Sequence, residues 1–415
     1  MYLAREELQM KWTKDPQAIL LLSVHGLFIL SSALSGTFLN VYLWKSRQDY
    51  TMLGWFTIAQ QVALGLTFWA AGKWVKEHNK MNALRLGIAV SGIFYLCVLW
   101  AGGHAVDYIW PLGLLFGVSL GLFWLAFNVV YFEVSSAENR DWFNGWIGLL
   151  GSITGIIGPW LAGWIITIMH GESGYRFIFT VSMIIYGVTV VLSFFLHKRP
   201  VQGSYHWLEA YHRLKQGGVW KYAVWGLAVQ GMREGVFSFL ITLLVFVATD
   251  REAKLGQFAL ITSAVSLVSY WLCGKWFKPK YRKTGMLIGA ACMLLVIVPL
   301  LLDVNYTTLL VLGIGTSLFI PLYMLPSVSV SFDLMGLNRE NVEKRVELVV
   351  LRELSLTLGR IAGLLVFIMV LSIRQDTLTI TLLLLFLGAS PIGSWIFMRK
   401  LFAGDKQATY TGKAD

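Results

Sequence analysis

Charged residues are scarce in this sequence. They make up 14% of its 415 residues, whereas about 25% is usual in soluble domains. Long polar stretches of the kind that keep a chain disordered are nearly absent. The only cysteines are Cys97, Cys273 and Cys292, and their spacing fits neither a disulfide framework nor a metal site. These absences argue against an ordinary soluble enzyme, a disordered chain and a disulfide scaffold.

Motifs for ATP-driven or hydrolytic chemistry are missing too. No GxxxxGK[ST] loop occurs, so ATP is not the direct energy source in this chain. There is no HExxH motif, no convincing nucleophile elbow, and no cluster of His or acidic residues at metal-ligand spacing. We therefore expect no catalytic residues, no metal and no cofactor, and a membrane-embedded enzyme is the least favoured class of function.

Apolar residues dominate what is present. They make up 56% of the chain, 18 residues are tryptophan, and the mean hydropathy is +0.64. Roughly 20 apolar residues in a helix cross a bilayer, and twelve such spans are predicted. They are 18–44, 51–71, 84–101, 108–132, 146–169, 175–196, 221–248, 255–272, 285–302, 307–330, 351–373 and 377–398. Short loops make neighbouring helices antiparallel. The predicted fold class is an all-α polytopic membrane protein with twelve transmembrane helices.

The net charge of +11 is unevenly distributed along the chain. If the N-terminus is cytoplasmic, the cytoplasmic segments carry 26 of the 34 lysine and arginine residues and the outer loops carry six. Such an excess on the cytoplasmic side orients membrane proteins. We therefore predict that both termini are cytoplasmic. The positive charge then reflects orientation, and no nucleic-acid partner is expected.

The sequence contains an internal repeat. Gly72-Lys73-Trp74-Val75-Lys76 matches Gly274-Lys275-Trp276-Phe277-Lys278 at four of five positions and a spacing of 202. Phe132-Glu133 faces Phe332-Asp333 at a spacing of 200, and Gly155 to Gly158 has a weaker counterpart in Gly359 to Gly363. Three matches in order at nearly one spacing indicate a duplicated six-helix unit. Both copies begin on the same side, so the repeats are parallel.

The repeat sets the predicted domain boundaries. We expect an N-terminal six-helix bundle at 1–196, a cytoplasmic linker at 197–220, a C-terminal six-helix bundle at 221–400 and a cytoplasmic tail at 401–415. Aromatic and leucine residues in the linker recur at helical spacing beside Arg213 and Lys215. This pattern predicts a short amphipathic helix on the inner membrane surface, and a plain connection between two bundles is its favoured role.

This organisation resembles the major facilitator superfamily of secondary transporters. In that family the loop after the second span carries a glycine, an acidic residue four positions on, and then basic residues. Gly72 and Lys80 fit this motif, but Lys76 stands where the family has the acidic residue. The second copy, which begins at Gly274, differs in the same way because it has Lys278 at that position. The resemblance implies two six-helix bundles that alternate access to a central site. The departure leaves open how the two bundles are latched together.

A second motif lies in the fifth span. Gly155 and Gly158-Pro159 resemble the glycine-proline motif that proton-driven exporters of the family carry in this helix. Small residues at four-residue spacing permit close packing, and a proline frees a backbone carbonyl at a bend. An antiporter motif and a merely close-packed, kinked helix remain equal alternatives for this segment.

Polar side chains within the spans mark a candidate site. Spans three, six, nine and twelve have no charged or amide side chain in their cores, and in the resembled family these are the outer helices. The polar residues concentrate in the other spans. They are His25, Asn40, Gln60, Gln61, Asn128, Gln230, Arg233, Glu234, Glu353 and Arg360. Charges within a bilayer usually face a cavity, so we expect a central polar site.

The charged residues of this site have two predicted roles, in substrate binding and in proton coupling. Arg233 and Arg360 attract an anionic substrate group, since the guanidinium fork suits carboxylates, and Glu234 is the protonatable coupling residue. The alternative is a static charge network. Glu353 is a coupling candidate or a gating ion pair. His25, Asn128 and Gln230 are weaker candidates, and a lone histidine is more often a packing residue.

The function predicted from the sequence is secondary active transport of a small molecule by alternating access. We expect proton coupling, export of an organic anion or an amphipathic compound, and contact with membrane lipids. The expected location is a bacterial cytoplasmic membrane. The alternative is a transport-inactive relative that acts as a membrane scaffold or partner protein, and the departures at Lys76 and Lys278 keep it open.

Overall fold

The computed structural model describes residues 16–134, 140–169, 171–197 and 203–402, and these ranges are helical apart from short connections. The helices are α1 (Pro16–Arg47), α2 (Tyr50–Trp74), α3 (Lys80–Ala101), α4 (Ile109–Val134), α5 (Arg140–Met169), α6 (Glu172–Ser193), α7 (Glu209–Gln216), α8 (Gly218–Thr249), α9 (Glu252–Trp276), α10 (Arg282–Leu295), α11 (Tyr306–Met335), α12 (Arg339–Glu343), α13 (Arg345–Ile373), α14 (Thr377–Gly388) and α15 (Ser390–Met398).

Each predicted span corresponds to a helix or to a pair of helical segments. Ten helical stretches are long and apolar enough to cross a membrane. One of them, Tyr50–Tyr131, has 82 residues and comprises three predicted spans. A π-helical turn at Val75–Asn79 and a 3₁₀ turn at Gly102–Tyr108 reverse the direction of the chain between these spans. The predicted fold class is confirmed. Residues 403–415 of the predicted tail and the side chains of the Phe132-Glu133 repeat lie outside the described residues.

Polar caps fix where several helices begin. The Asp49 carboxylate accepts a hydrogen bond from the Thr51 backbone N–H at 2.8 Å, and Asn79 caps α3 in the same manner. Asn305 and Thr308 form a reciprocal capping box at the start of α11. These side chains pair backbone donors that have no partner within the helix, so they allow very short connections between spans.

The same helix pairs recur in the first half (α1 to α6) and the second half (α8 to α15). In the first half, α1 packs on α5 and α6, and α2 packs on α4. In the second half, α8 packs on α13 and α15, and α9 packs on α11. The halves meet through two further pairs, α2 with α13 and α5 with α9, which are each other's counterparts. These contacts agree with the duplication; the domain boundaries themselves stay a prediction.

Pro159 shapes the contact between α5 and α9. A proline has no backbone N–H, so the carbonyl four residues before it loses its helical partner. Here that carbonyl belongs to Gly155, and it accepts a hydrogen bond from the Ser263 hydroxyl of α9 at 3.0 Å. Gly158 lies against Ala33 of α1, where a Cβ would come within 2.9 Å. The predicted glycine-proline segment therefore lies where the two halves meet.

Glycines also allow α8 and α13 to cross closely. Gly231 and Gly235 on α8 lie against the backbone of α13, and Gly359 and Gly363 on α13 lie against the backbone of α8. The two glycines of each helix are four positions apart. A Cβ on Gly359 would overlap the carbonyl oxygen of Ala228, which is rigid backbone. Small residues at this spacing let two helical backbones approach within a membrane. The crossing lies beside the charged residues of the predicted site.

We expect Gly359→Ala to lower the apparent melting temperature of the purified protein, with a cost near the upper end of the 1–3 kcal/mol range for overpacking, about 3 kcal/mol. Gly151→Ala is the matched control, because a Cβ on Gly151 meets nothing within 4 Å. Both variants gain one methyl group within a membrane helix. Equal melting temperatures for the two variants would show that the crossing tolerates separation.

Candidate functional site

A cavity of about 600 Å³ lies between the two halves. Its described lining comes from α1, α2, α4, α8, α9, α11 and α13, and none of it from α3, α6, α10, α14 or α15. The linker end is defined as the end of the molecule where residues 203–217 lie, and the far end is the opposite one. The cavity extends from the middle of α8 and α13 towards the far end. The four spans without polar core residues are thus excluded from its described lining.

Arg360 forms the centre of a charged network. Its Nη1 donates to Glu353 Oε1 at 2.6 Å, and its Nη2 and Nε donate to Glu234 Oε2 at 3.0 and 3.3 Å. Glu234 Oε1 also accepts from Gln230 Nε2 at 2.7 Å. The sequence spacing places Glu353 and Arg360 about 10 Å apart along one helix face, a distance that the two long side chains span. Two carboxylates therefore bond one guanidinium, and Arg352 Nη1 lies 3.9 Å from Glu353 Oε2 as a further positive charge.

Gln230 ties this network to α11. Its amide oxygen accepts hydrogen bonds from the Ser327 hydroxyl at 2.6 Å and the Tyr323 hydroxyl at 3.4 Å. Gln230 is 2% exposed, and both its amide nitrogen and its amide oxygen have hydrogen-bond partners. This buried amide therefore holds the Glu234 carboxylate in position. The structure thus brings together four of the predicted site residues, Gln230, Glu234, Glu353 and Arg360.

Arg233 is in a different situation. Its side chain is 7% exposed and lines the cavity, yet its Nε and Nη2 atoms have no hydrogen-bond partner within the described parts of the chain. Its guanidinium lies 4.2 Å from the centre of the Phe237 ring, a cation–π contact. Neighbouring helical residues point about 100° apart, which explains why Glu234 pairs with Arg360 instead.

The structure places two weaker candidates outside the cavity. His25 is 3% exposed and stacks on Phe127 with ring centres 4.4 Å apart. It also contacts Trp124 edge-on at 5.9 Å. Asn128 is half-buried on α4. Neither residue belongs to the described lining of the cavity, and His25 Nδ1 has no hydrogen-bond partner in the described ranges, so the roles of both residues stay predictions.

The first half contributes neutral polar groups that the sequence analysis did not rank as site residues. Asn40, Thr57, Gln60 and Gln61 line the cavity from α1 and α2. Gln61 is 8% exposed, and its amide oxygen has no partner among the residues described. Their polarity within apolar spans was a usable signal. It gave no ranking, because only the folded chain shows which polar residues share a cavity.

The linker end is closed by Lys76. Its Nζ lies 2.6 Å from Glu347 Oε1 of α13 and donates to the Glu343 backbone carbonyl at 3.1 Å. Lys76 is 7% and Glu347 2% exposed. The basic residue at the family's acidic position therefore forms a buried ion pair between the halves. The equivalent Lys278, like Gly274, is exposed, so the two copies of the motif differ in the folded protein.

The linker packs on this ion pair. Tyr205 fills the space above Gly72, where a Cβ would lie 2.5 Å from its hydroxyl oxygen. The Tyr205 backbone N–H donates to Glu77 at 2.7 Å, and the His206 N–H donates to Glu347 Oε1 at 3.0 Å. Gly72 is thus required for close packing of the linker, and the linker supplies a second hydrogen bond to the buried carboxylate.

The predicted linker helix is present as α7, with its charged face turned towards the protein. Arg213 bonds Glu209 and Glu340, and Lys344 lies 2.9 Å from Glu209. Burial alone would raise the pKa of Glu209, but hydrogen bonds from Lys344 and Arg213 outweigh it and lower that pKa. The hydrogen bond to Glu209 raises the pKa of Lys344. The network attaches α7 to the second half.

The far end carries its own ion pair between the halves. Lys45 Nζ of α1 lies 2.8 Å from Glu252 Oε1 of α9, and the Tyr175 hydroxyl donates to the same carboxylate at 2.9 Å. The cavity therefore lies between one charged pair at each end.

Comparisons with known proteins agree with this architecture. A family model described as the Major Facilitator Superfamily matches residues 21–337. A protein of Bacillus subtilis (strain 168), named uncharacterized protein YqgE, is 34% identical over 389 residues, which cover 94% of this chain and 90% of that protein.

Solved structures of transporters share the fold. A D-xylose–proton symporter superposes with a TM-score of 0.67 at 13% identity, over 92% of this chain and 97% of the other. A bacterial homologue of the iron transporter ferroportin, in an outward-facing state, gives a TM-score of 0.63 at 13% identity, over 93% of this chain and 99% of the other.

Proposed function

The chain belongs to the Major Facilitator Superfamily and is a secondary transporter rather than an enzyme, and on this premise we propose that it carries a small organic anion bound at Arg233. The observation that supports this proposal most is the buried guanidinium of Arg233, which lines the cavity with two unbonded nitrogens among the described residues. An arginine at mid-membrane depth costs at least about 2.5–3.5 kcal/mol. A bound carboxylate offsets that cost through a charge-assisted hydrogen bond.

We further propose that transport is proton-coupled through the Arg360 network. Glu234 lines the cavity and shares its Oε2 with Arg360, so its protonation would release part of Arg360 from an ion pair. Glu353 holds the other side of the same guanidinium and would keep Arg360 in place. The static-network alternative predicts no dependence of transport on this carboxylate.

Alternating access is proposed to use the two end pairs, Lys45–Glu252 and Lys76–Glu347, as the contacts that break in turn. Both termini are proposed to be cytoplasmic, which makes the linker end the cytoplasmic one. The resemblance of the Gly155–Pro159 segment to proton-driven exporters makes export the direction that we propose. This segment joins the halves through the Gly155 carbonyl, where a kinked helix could act as a hinge.

The proposal is tested in proteoliposomes that contain a trapped pH-sensitive dye. The panel comprises acetate, lactate, benzoate and phenylacetate, with glucose as a neutral probe and tetraphenylphosphonium as a cationic one. We expect anion-dependent proton flux above the passive leak of protein-free liposomes, and thermal stabilisation of the purified protein by anions only. A proton gradient imposed in each orientation separates export from uptake. If no member of the panel is transported or stabilises the protein, the scaffold alternative is favoured.

Glu234→Gln is expected to abolish transport driven by a proton gradient while exchange of labelled for unlabelled anion continues. The amide keeps the shape and the hydrogen bond to Arg360 but cannot carry a proton. Asp107→Asn, at an exposed acidic residue of the far-end loop, is the matched control and should keep gradient-driven transport. A folded Glu234→Gln variant with unchanged pH dependence would leave only the static network.

A further inference from the structure

The two halves contribute different chemistry to the cavity. The second half supplies the charged groups, whereas the described lining from the first half is uncharged. Phenylalanine side chains come from both halves, and they are Phe56, Phe116, Phe237, Phe239 and Phe258. A cavity of about 600 Å³ is within the usual range of about 300–1,000 Å³ for small-molecule sites. The walls favour a flat aromatic body, and the polar groups decide how it is oriented.

One guanidinium in the described lining is left for a ligand to bond. Arg360 is already bonded to both Glu234 and Glu353, so it has little attraction left for an anion. Arg233 is the guanidinium in the described lining that lacks such a carboxylate. A second negative charge on the ligand would lie in an apolar site without a partner, which is costly. A monoanion is therefore favoured over a dianion.

Gln61 provides an unbonded group on the opposite half, whereas the unbonded Thr316 hydroxyl of the lining lies on the same half as Arg233. It lies on α2 and is 8% exposed, and no hydrogen-bond partner for its amide oxygen occurs in the described ranges. A buried amide without a hydrogen-bond partner is unfavourable, because its lost hydration is not replaced. A hydroxyl group suits this position, since it can donate to the oxygen or accept from the nitrogen of an amide.

We infer that the transported anion is an aromatic monocarboxylate with a hydroxyl group remote from its carboxylate, held between Arg233 on the second half and Gln61 on the first. This inference rests on the proposed function and specifies its substrate class. A ligand bonded to both halves also explains how binding can bring them together, because each end of the molecule satisfies a buried group on a different half.

The test compares matched pairs of ligands by thermal stabilisation and by apparent Kd on the intact purified protein. The pairs are benzoate with 4-hydroxybenzoate, phenylacetate with 4-hydroxyphenylacetate, and 3-phenylpropanoate with 3-(4-hydroxyphenyl)propanoate. We expect the hydroxylated member to bind about three- to tenfold more tightly in at least one pair, the range that corresponds to one net hydrogen bond. Hexanoate should bind more weakly than the phenyl acids, and terephthalate more weakly than 4-hydroxybenzoate.

Substitutions at Gln61 and Arg233 test which residue contacts the hydroxyl group of the ligand and which contacts its carboxylate. Gln61→Leu should remove the preference for the hydroxyl while the binding of the unsubstituted acids is kept, and Arg233→Gln should weaken both members of every pair. Gln257→Leu is the matched control, because Gln257 is exposed on α9 and should leave the preference unchanged. The melting temperature of each empty variant verifies that it is folded.

The possible failures are distinguishable. If unsubstituted acids bind in an Arg233-dependent manner but no hydroxyl preference exists, or if the preference survives in Gln61→Leu, the substrate class inferred here is wrong and the proposed function stands. If terephthalate bound more tightly than 4-hydroxybenzoate, the preference for a monoanion would be overturned. If hexanoate bound more tightly than the phenyl acids, the preference for an aromatic ring would be overturned. If no carboxylate binds and Arg233→Gln has no effect, the proposed function itself fails.

Discussion

Replacement of Arg233 by glutamine is expected to abolish anion transport and to raise the melting temperature of the empty protein. Loss of one partner from a buried charged contact costs about 2–5 kcal/mol, so the affinity for the most stabilising anion of the panel should fall by at least about 30-fold. Without substrate the same guanidinium is a buried charge whose Nε and Nη2 lack partners in the described structure. Its removal relieves a desolvation cost, which gives the opposite sign for stability.

This pair of opposite effects distinguishes a binding residue from a structural one. A structural arginine would lower the melting temperature when replaced, and a residue outside the site would change neither property. Arg339→Gln is the matched control, since Arg339 is 94% exposed and pairs with Glu343 on the surface. Arg233→Lys keeps the charge but loses the planar fork, and we expect it to retain weak binding. Undiminished uptake by folded Arg233→Gln would refute the role.

Replacement of Lys76 by methionine is expected to open the linker end. The buried Glu347 carboxylate would then accept a hydrogen bond only from the His206 N–H among the residues that the structure describes. Breaking a buried ion pair by removal of one partner costs about 3–5 kcal/mol, because the remaining charge has no compensation. This cost is smaller in conformations in which water reaches the Glu347 carboxylate. The protein should therefore spend more time in conformations in which α2 and α13 are separated at the linker end.

Spin labels measure this shift directly. Cysteines introduced at Lys73 on α2 and Arg339 on α12, both exposed, report the distance between the halves by pulsed electron resonance in a background without the three native cysteines. We expect the longer-distance population to increase in Lys76→Met. Lys278→Met is the matched control, because the second copy of the motif places an exposed lysine there.

The exchange of the two charges provides a rescue. A double variant with Lys76→Glu and Glu347→Lys keeps an ion pair between the halves and should restore part of the short-distance population, although the His206 N–H would then face an ammonium group. If the distance distribution in Lys76→Met matches that of the unaltered protein, the ion pair does not hold the linker end. A shift of equal size in Lys278→Met would show that the effect is not specific to the buried pair.

The positions of the spans could be predicted from the sequence with no further information. Runs of about 20 apolar residues must be membrane helices, because lipid offers no partner for backbone N–H and C=O groups outside a helix or closed sheet. The repeat was readable because the segments that begin at Gly72 and Gly274 match at four of five positions. The polar residues within the spans were equally visible, because each carries an insertion cost that function or pairing must offset.

The sequence could not rank those polar residues. His25 and Gln61 look alike as lone polar side chains in apolar helices, yet His25 packs among aromatic rings and Gln61 lines the cavity. The rotation of each helix about its own axis decides the outcome. That rotation is set by packing against neighbours, such as the glycine crossing of α8 and α13, which no single span encodes.

The sequence by itself determined that this chain is a helical membrane protein with two related halves. It also determined that charged side chains lie within the spans, where their insertion into a membrane is unfavourable. Only the tertiary structure decided the partners of those charges. Glu234 and Arg360 are 126 residues apart, and Lys76 and Glu347 are 271 apart. Hydropathy acts on each span separately, whereas an ion pair needs two side chains from different helices to meet at hydrogen-bond distance. That requirement leaves Arg360 bonded to two carboxylates and Arg233 in the lining of the cavity without one.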